Sequence, residues 1–103
     1  MIGENVVVKQ PRAGITVGPD IFTVTGYARP FEAQGTWRLK DAYGNVVREG
    51  TYFTSDWATT WGRFAFTADY PGYLSGYSGT LDLGEYSARD GSFVGTSIPI
   101  AFR

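Results

Sequence analysis

Apolar side chains recur at every second position in short runs, and each run is cut by Gly, Pro, Asn or Asp before it can lengthen. The clearest is Thr36-Trp37-Arg38-Leu39-Lys40, where Trp37 and Leu39 fall on one side and Arg38 and Lys40 on the other. Period two is the repeat of a half-buried β-strand, whereas an amphipathic helix needs apolar positions three and four apart. Fourteen Gly and five Pro in 103 residues would punctuate any long helix. The chain is therefore predicted to be all-β, with Trp37 in the core and Arg38 and Lys40 facing water.

The remaining runs follow the same rule. Val6-Val7-Val8-Lys9 ends at Pro11 and Ile15-Thr16-Val17 resumes after Gly14, which predicts an edge strand broken in two. Ile21-Phe22-Thr23-Val24-Thr25-Gly26 offers Phe22 and Val24 to the core. Asp41-Ala42-Tyr43-Gly44-Asn45 supplies the residues of a tight reversal, so Val46-Val47-Arg48-Glu49-Gly50-Thr51-Tyr52-Phe53 is expected to return antiparallel. Residues 54–61 read as a loop; Arg63-Phe64-Ala65-Phe66-Thr67-Ala68 then buries Phe64, Phe66 and Ala68. Residues 70–79 are too rich in Gly and Pro for regular structure, and Thr80-Leu81-Asp82-Leu83-Gly84-Glu85-Tyr86 buries Leu81 and Leu83. After the Asp90-Gly91 turn, Ser97-Ile98-Pro99-Ile100-Ala101-Phe102 places Ile98, Ile100 and Phe102 on one face. Pro99 has no N–H to give a ladder, so this strand is expected at an edge or with its donorless side turned outward. About seven short strands in this length predict one domain, residues 1–103, built as a two-sheet antiparallel sandwich, with a small barrel as the alternative.

Composition narrows the function. The nine Lys and Arg and ten Asp and Glu are interspersed and give a net charge of −1, without the basic cluster that counterion release from nucleic acid requires. Neither Cys nor His occurs, which removes thiol nucleophiles, disulfides, imidazole bases and the usual transition-metal ligands; no cofactor is expected. No run approaches the roughly 20 apolar residues of a membrane-spanning helix, and Met1-Ile2-Gly3-Glu4-Asn5 has no signal-peptide pattern.

Several side chains are candidates for function. Glu32 and Glu85 would form a hydrolytic pair only if held about 5–10 Å apart across a cleft, and backbone or Arg hydrogen bonding is the favoured role for each. Asp82, Glu85 and Asp90 lack the alternating ligand run of a calcium loop, so turn chemistry is favoured at Asp90-Gly91. Ser and Thr nucleophiles would need Lys9 or Lys40 as base, and neither stands in a Ser-x-x-Lys motif. The aromatic residues of the two irregular segments, Trp57, Trp61, Tyr70, Tyr73 and Tyr77, are the sharpest signal: such rings stack on sugars or anchor a protein partner, unless they cover the open ends of the sandwich as satellite core.

The order of these segments resembles a known family. Residues 15–19 lead into Phe22-Thr23-Val24-Thr25-Gly26-Tyr27-Ala28-Arg29-Pro30-Phe31-Glu32; the turn at 41–44, Gly62-Arg63-Phe64, Glu85-Tyr86-Ser87-Ala88-Arg89-Asp90-Gly91-Ser92 and Ile98-Pro99-Ile100 follow in register. Together they resemble the immunoglobulin-like domain of bacterial spore germination proteins, often found attached to a GerMN domain. The resemblance implies an immunoglobulin-like sandwich that serves as an accessory domain of an extracytoplasmic, cell-envelope or spore-associated bacterial protein, without catalytic activity. The expected function is accordingly a non-enzymatic protein-interaction or assembly module, with a carbohydrate- or peptidoglycan-binding module using the loop aromatics as the alternative.

Overall fold

The computed structural model describes residues 6–29, 34–55, 61–87 and 89–103. Eight strands are present among the described residues: β1 (Val6–Gln10), β2 (Thr16–Val17), β3 (Ile21–Ala28), β4 (Gln34–Lys40), β5 (Val46–Phe53), β6 (Gly62–Asp69), β7 (Ser78–Tyr86) and β8 (Phe93–Phe102). They form a three-stranded sheet in the order β1-β3-β6 and a five-stranded sheet in the order β2-β8-β7-β4-β5. This is an immunoglobulin-like sandwich. The broken first strand divides between the sheets: β1 pairs antiparallel with β3, and β2 crosses to pair parallel with β8.

Alternation sorts the side chains as the sequence predicts. Phe22, Val24, Trp37, Leu39, Phe64, Ala68, Leu81, Leu83, Ile98, Ile100 and Phe102 all line the space between the sheets. Phe66 is only partly buried, but it packs on the core as the point where three rings meet. It stacks on Trp37 and on Tyr52 at 5.7 Å each and on Phe64 at 6.0 Å. Trp37 and Tyr52 reach it because each lies opposite a glycine. In the β4–β5 register Trp37 faces Gly50 and Gly35 faces Tyr52. A Cβ on Gly50 would strike the Trp37 indole, and one on Gly35 the Tyr52 ring. Each aromatic thus covers the backbone that its bare neighbour exposes, which offsets the weakness of glycine within a strand.

Of the two arrangements expected for Pro99 the structure takes the second: β8 is not an edge, since it lies between β2 and β7, and the donorless side is turned away from the β7 ladder. The sheet tolerates Pro99 because a strand residue's N and C=O point to the same side, and its carbonyl accepts from Gly14 N–H at 2.7 Å. Its donorless nitrogen therefore faces the segment before β2 rather than the β7 ladder. Residues 70–79 are more ordered than their Gly and Pro content predicts: a 3-10 turn at Gly72–Leu74 buries Leu74, and β7 begins at Ser78.

Two core tyrosines differ in how their hydroxyls are treated. Tyr70 packs on Phe102 at 4.7 Å and donates to the carbonyls of Arg103 at 3.1 Å and Val17 at 3.3 Å. Its hydroxyl fills the space beside Gly18, whose φ of 103° and lack of a Cβ both suit the approach. Tyr52 is equally buried, yet its hydroxyl has no hydrogen-bond partner among the described residues. Burial, with the Glu85 charge adding to it, pushes that hydroxyl's pKa above the ordinary value, so it stays protonated. A buried hydroxyl without a partner costs stability, and one that donates contributes about 1 kcal/mol. Tyr52→Phe is therefore expected to leave stability unchanged or raise it by about 1 kcal/mol, while Tyr70→Phe lowers it by a similar amount. Urea unfolding midpoints at constant m-value check the pair; a Tyr52→Phe protein less stable than Tyr70→Phe would contradict it.

Candidate functional site

The β4–β5 hairpin ends in a turn fixed by Asp41. Its Oδ1 accepts from the backbone N–H groups of Asn45 and Tyr43, both at 2.9 Å, and its Oδ2 from Asn45 Nδ2 at 3.2 Å. The Asn45 backbone bond foremost holds the Asp41 carboxyl below its usual range despite the opposing cost of desolvation. The carboxylate is thus committed to the turn, and the turn holds Tyr43 outward at 91% exposure.

Beside it lies the segment between β6 and β7. Leu74 anchors it in the core, Gly76 N–H donates to Phe102 C=O at 2.8 Å, and Ser75 Oγ donates to Arg103 C=O at 2.9 Å. The chain is pinned on both sides of Tyr73 and Tyr77, which nonetheless stand 67% and 65% exposed. Tyr43, Tyr73 and Tyr77, with Asp41, Ala42 and Leu74, line a hollow of about 380 Å³ at this end of the sandwich. Large exposed rings on a braced backbone offer contact area at small entropic cost.

The aromatic candidates from the sequence therefore separate. Tyr73 and Tyr77 come together in the hollow, and Tyr70 belongs to the core at 4% exposure. Trp61 sits at the opposite end, just before β6, with the Arg29 guanidinium 5.6 Å from its ring centroid. Trp57 lies outside the described residues. Tyr43 was absent from the candidates because its position reads as turn chemistry; a large aromatic at the tip of a tight hairpin was itself the usable signal.

The other polar constellation lies on the outer face of the five-stranded sheet. Arg38 and Lys40 do not simply face water as expected, because both converge on Asp82 of β7. Arg38 Nη2 lies 2.8 Å and Lys40 Nζ 3.0 Å from Asp82 Oδ2, while Ser97 Oγ of β8 donates to Oδ1 at 2.7 Å. The Arg38 guanidinium also covers the Phe93 ring at 3.9 Å. Burial alone would raise the Asp82 pKa, but the hydrogen bonds from Ser97, Lys40 and Arg38 outweigh it and hold the carboxyl below its ordinary 3.8. A carboxylate held this firmly ionised is matched to cross-strand bonding rather than to general-acid chemistry.

The remaining acids have local roles. Asp90 accepts from Ser92 N–H and Oγ across the turn, and those bonds lower its pKa. Glu85 is half-buried near the end of β7; Glu32, the other half of the carboxylate pair, lies outside the described residues. No group of three or more Asp, Glu, His or Cys that could hold a metal ion occurs among the described residues. Nor is any helix among them long and apolar enough to cross a membrane.

The family model Gmad2, the immunoglobulin-like domain of bacterial spore germination, matches residues 5–92. The chain belongs to this family. The matched span reaches from before β1 to the Asp90-Gly91 turn, and β8 completes the larger sheet of this Gmad2 domain. The crystal structure of CopC from Methylosinus trichosporium OB3b is similar over 95% of this chain and 91% of that one, with 21% identity and a TM-score of 0.57. At that identity the likeness is one of fold. A search of curated proteins finds no match.

The Asp82 cluster makes a pH prediction. A carboxylate with a depressed folded pKa contributes stability that is present above its unfolded pKa and is lost as pH falls through the folded value. The Gmad2 domain should thus lose stability below about pH 4. Asp82→Asn leaves Arg38 and Lys40 without their counter-charge, and should cost about 3 kcal/mol at pH 7 and flatten the acid limb. Urea titrations between acidic and neutral pH test this; an unchanged acid limb in the variant would refute it.

Proposed function

We propose that this Gmad2 domain is a non-enzymatic contact module of an extracytoplasmic bacterial protein, engaging a protein partner through the tyrosines at the hairpin end. The observation that carries the reading is the hollow walled by Tyr43, Tyr73 and Tyr77, three exposed rings on two braced segments. Tyrosine is enriched at the centres of protein interfaces because it joins a large apolar ring to a hydroxyl that stays wet until the partner arrives. The family's association with spore germination supports a place outside the cytoplasm. The non-enzymatic reading is supported by a chain that has neither His nor Cys and by the commitment of Asp41, Asp82 and Asp90 to structural hydrogen bonds.

The same hollow favours a second reading, the binding of a cell-envelope glycan, since exposed tyrosine faces also stack on sugar rings. The two readings separate by ligand. Replacing Tyr43, Tyr73 and Tyr77 by Ser should leave stability within about 0.5 kcal/mol, because the rings are exposed. It should weaken partner capture from an envelope extract by roughly 30-fold or more, as loss of one interface hot spot already does. Equal capture by the variant would remove the tyrosine end from the interface. Saturable quenching of intrinsic fluorescence by peptidoglycan fragments, abolished in the same variant, would transfer the site to the glycan reading.

A further inference from the structure

The outer face of the three-stranded sheet carries a separate feature. Lys9 of β1, Thr25 and Tyr27 of β3, Arg63 and Ala65 of β6 and the exposed Phe53 at the end of β5 border an open groove of about 610 Å³. Among the described residues its lining contains two cations and no carboxylate. On the other sheet, by contrast, Arg38 and Lys40 are paired with Asp82, and at the sandwich margin Arg48 is paired with Asp69. Neither Lys9 nor Arg63 has an ion-pair partner among the described residues; Lys9 Nζ lies 5.7 Å above the Tyr27 ring. Asp69, the acid at the end of β6, is far away: Ile21 pairs with Asp69 and Tyr27 with Arg63, six positions along β3, or about 20 Å. Among the described residues, Lys9 and Arg63 thus meet in one groove without a carboxylate, beside exposed rings, in a chain of net charge −1.

We infer that this groove docks an acidic segment of a partner protein, with Lys9 and Arg63 receiving carboxylates and Tyr27 and Phe53 receiving the apolar side chains between them. Spacing and chemistry favour a peptide over a phosphate polymer. Lys9 and Arg63 stand on strands two positions apart in the sheet, about 10 Å between strand axes, and Lys9 is offset along its strand from the level of Arg63. The interval holds Thr25 and the Tyr27 ring rather than further cations. Nucleic acid and polyphosphate present closely spaced charge and reward an unbroken basic track. An extended peptide carries side chains of one face at intervals of about 7 Å and can alternate charged with apolar groups. The groove also lies toward the opposite end of the sandwich from Tyr43, Tyr73 and Tyr77, so it is independent of the proposed tyrosine contact.

The test uses amide chemical-shift mapping on the isotope-labelled domain, titrated with three probes: a short peptide with glutamates flanking an aromatic and apolar centre, its lysine-for-glutamate counterpart, and polyphosphate. The acidic peptide is expected to bind saturably, to shift Thr25, Tyr27, Arg63 and Ala65, and to weaken as salt is raised. Lys9→Glu and Arg63→Glu should each weaken it roughly tenfold or more. Lys9→Gln and Arg63→Gln provide the same comparison with less repulsion, and an unchanged unfolding midpoint shows that each variant is folded. The variant lacking the three hollow tyrosines should bind the acidic peptide as the parent does. Failure of the acidic peptide to bind, equal binding of its lysine counterpart, indifference to all four substitutions, tighter binding of polyphosphate, or shifts centred on the tyrosine hollow would each overturn the assignment.

Discussion

Phe66 is held between Trp37 and Tyr52, and that contact joins the two sheets. Phe66 belongs to the smaller sheet, while Trp37 and Tyr52 belong to β4 and β5 of the larger one; rings from the two layers stack at 5.7 Å. The arrangement depends on two glycines. Only because Gly50 and Gly35 lack side chains can the indole and the phenol lie flat over the β4–β5 backbone and still reach across the core. A bulkier residue at either position would tilt a ring, open the stack on Phe66 and loosen the margin where β5 passes to β6. Stacked aromatic pairs contribute about 0.5–1.5 kcal/mol beyond the area they bury, so losing two would be a large share of the stability of a small domain.

Much of the architecture was legible in period two alone. Phe22 and Val24, Trp37 and Leu39, Leu81 and Leu83, and Ile98, Ile100 and Phe102 all face inward as their alternation requires, because one face of each strand must meet the other sheet. The position of β8 inside its sheet was not legible: Pro99 marks a missing donor, but only tertiary pairing decides which side of the strand that donor would have served. The Asp82 cluster was hidden for a related reason. Outward positions of β4, β7 and β8 carry Arg38, Asp82 and Ser97, and nothing local says that these three strands lie side by side.

The candidate site was legible in part. Exposed aromatics in irregular segments were the right kind of signal, and Tyr73 and Tyr77 do stand out from the surface. Tyr70 carries the same composition signal, yet the two carbonyls it reaches are distant in sequence, which makes it a core residue. Tyr43 joins the hollow because a hairpin turn and the segment after β6 open at the same end of the sandwich. The proposed partner surfaces thus use residues displayed by strands and turns, while Asp41, Asp82 and Asp90 are engaged in structure.

The cluster around Asp82 has a further effect on how the larger sheet assembles. Asp82 is bonded by side chains from both neighbouring strands, Arg38 and Lys40 on one side and Ser97 on the other. If β7 slid by a single residue, Asp82 would turn toward the apolar interior and Leu81 and Leu83 toward solvent. The misaligned sheet would have to desolvate a charge with no counterpart, a penalty of several kcal/mol. The carboxylate can therefore also act as a locating peg, making every neighbouring alignment of the three central strands much worse than the native one.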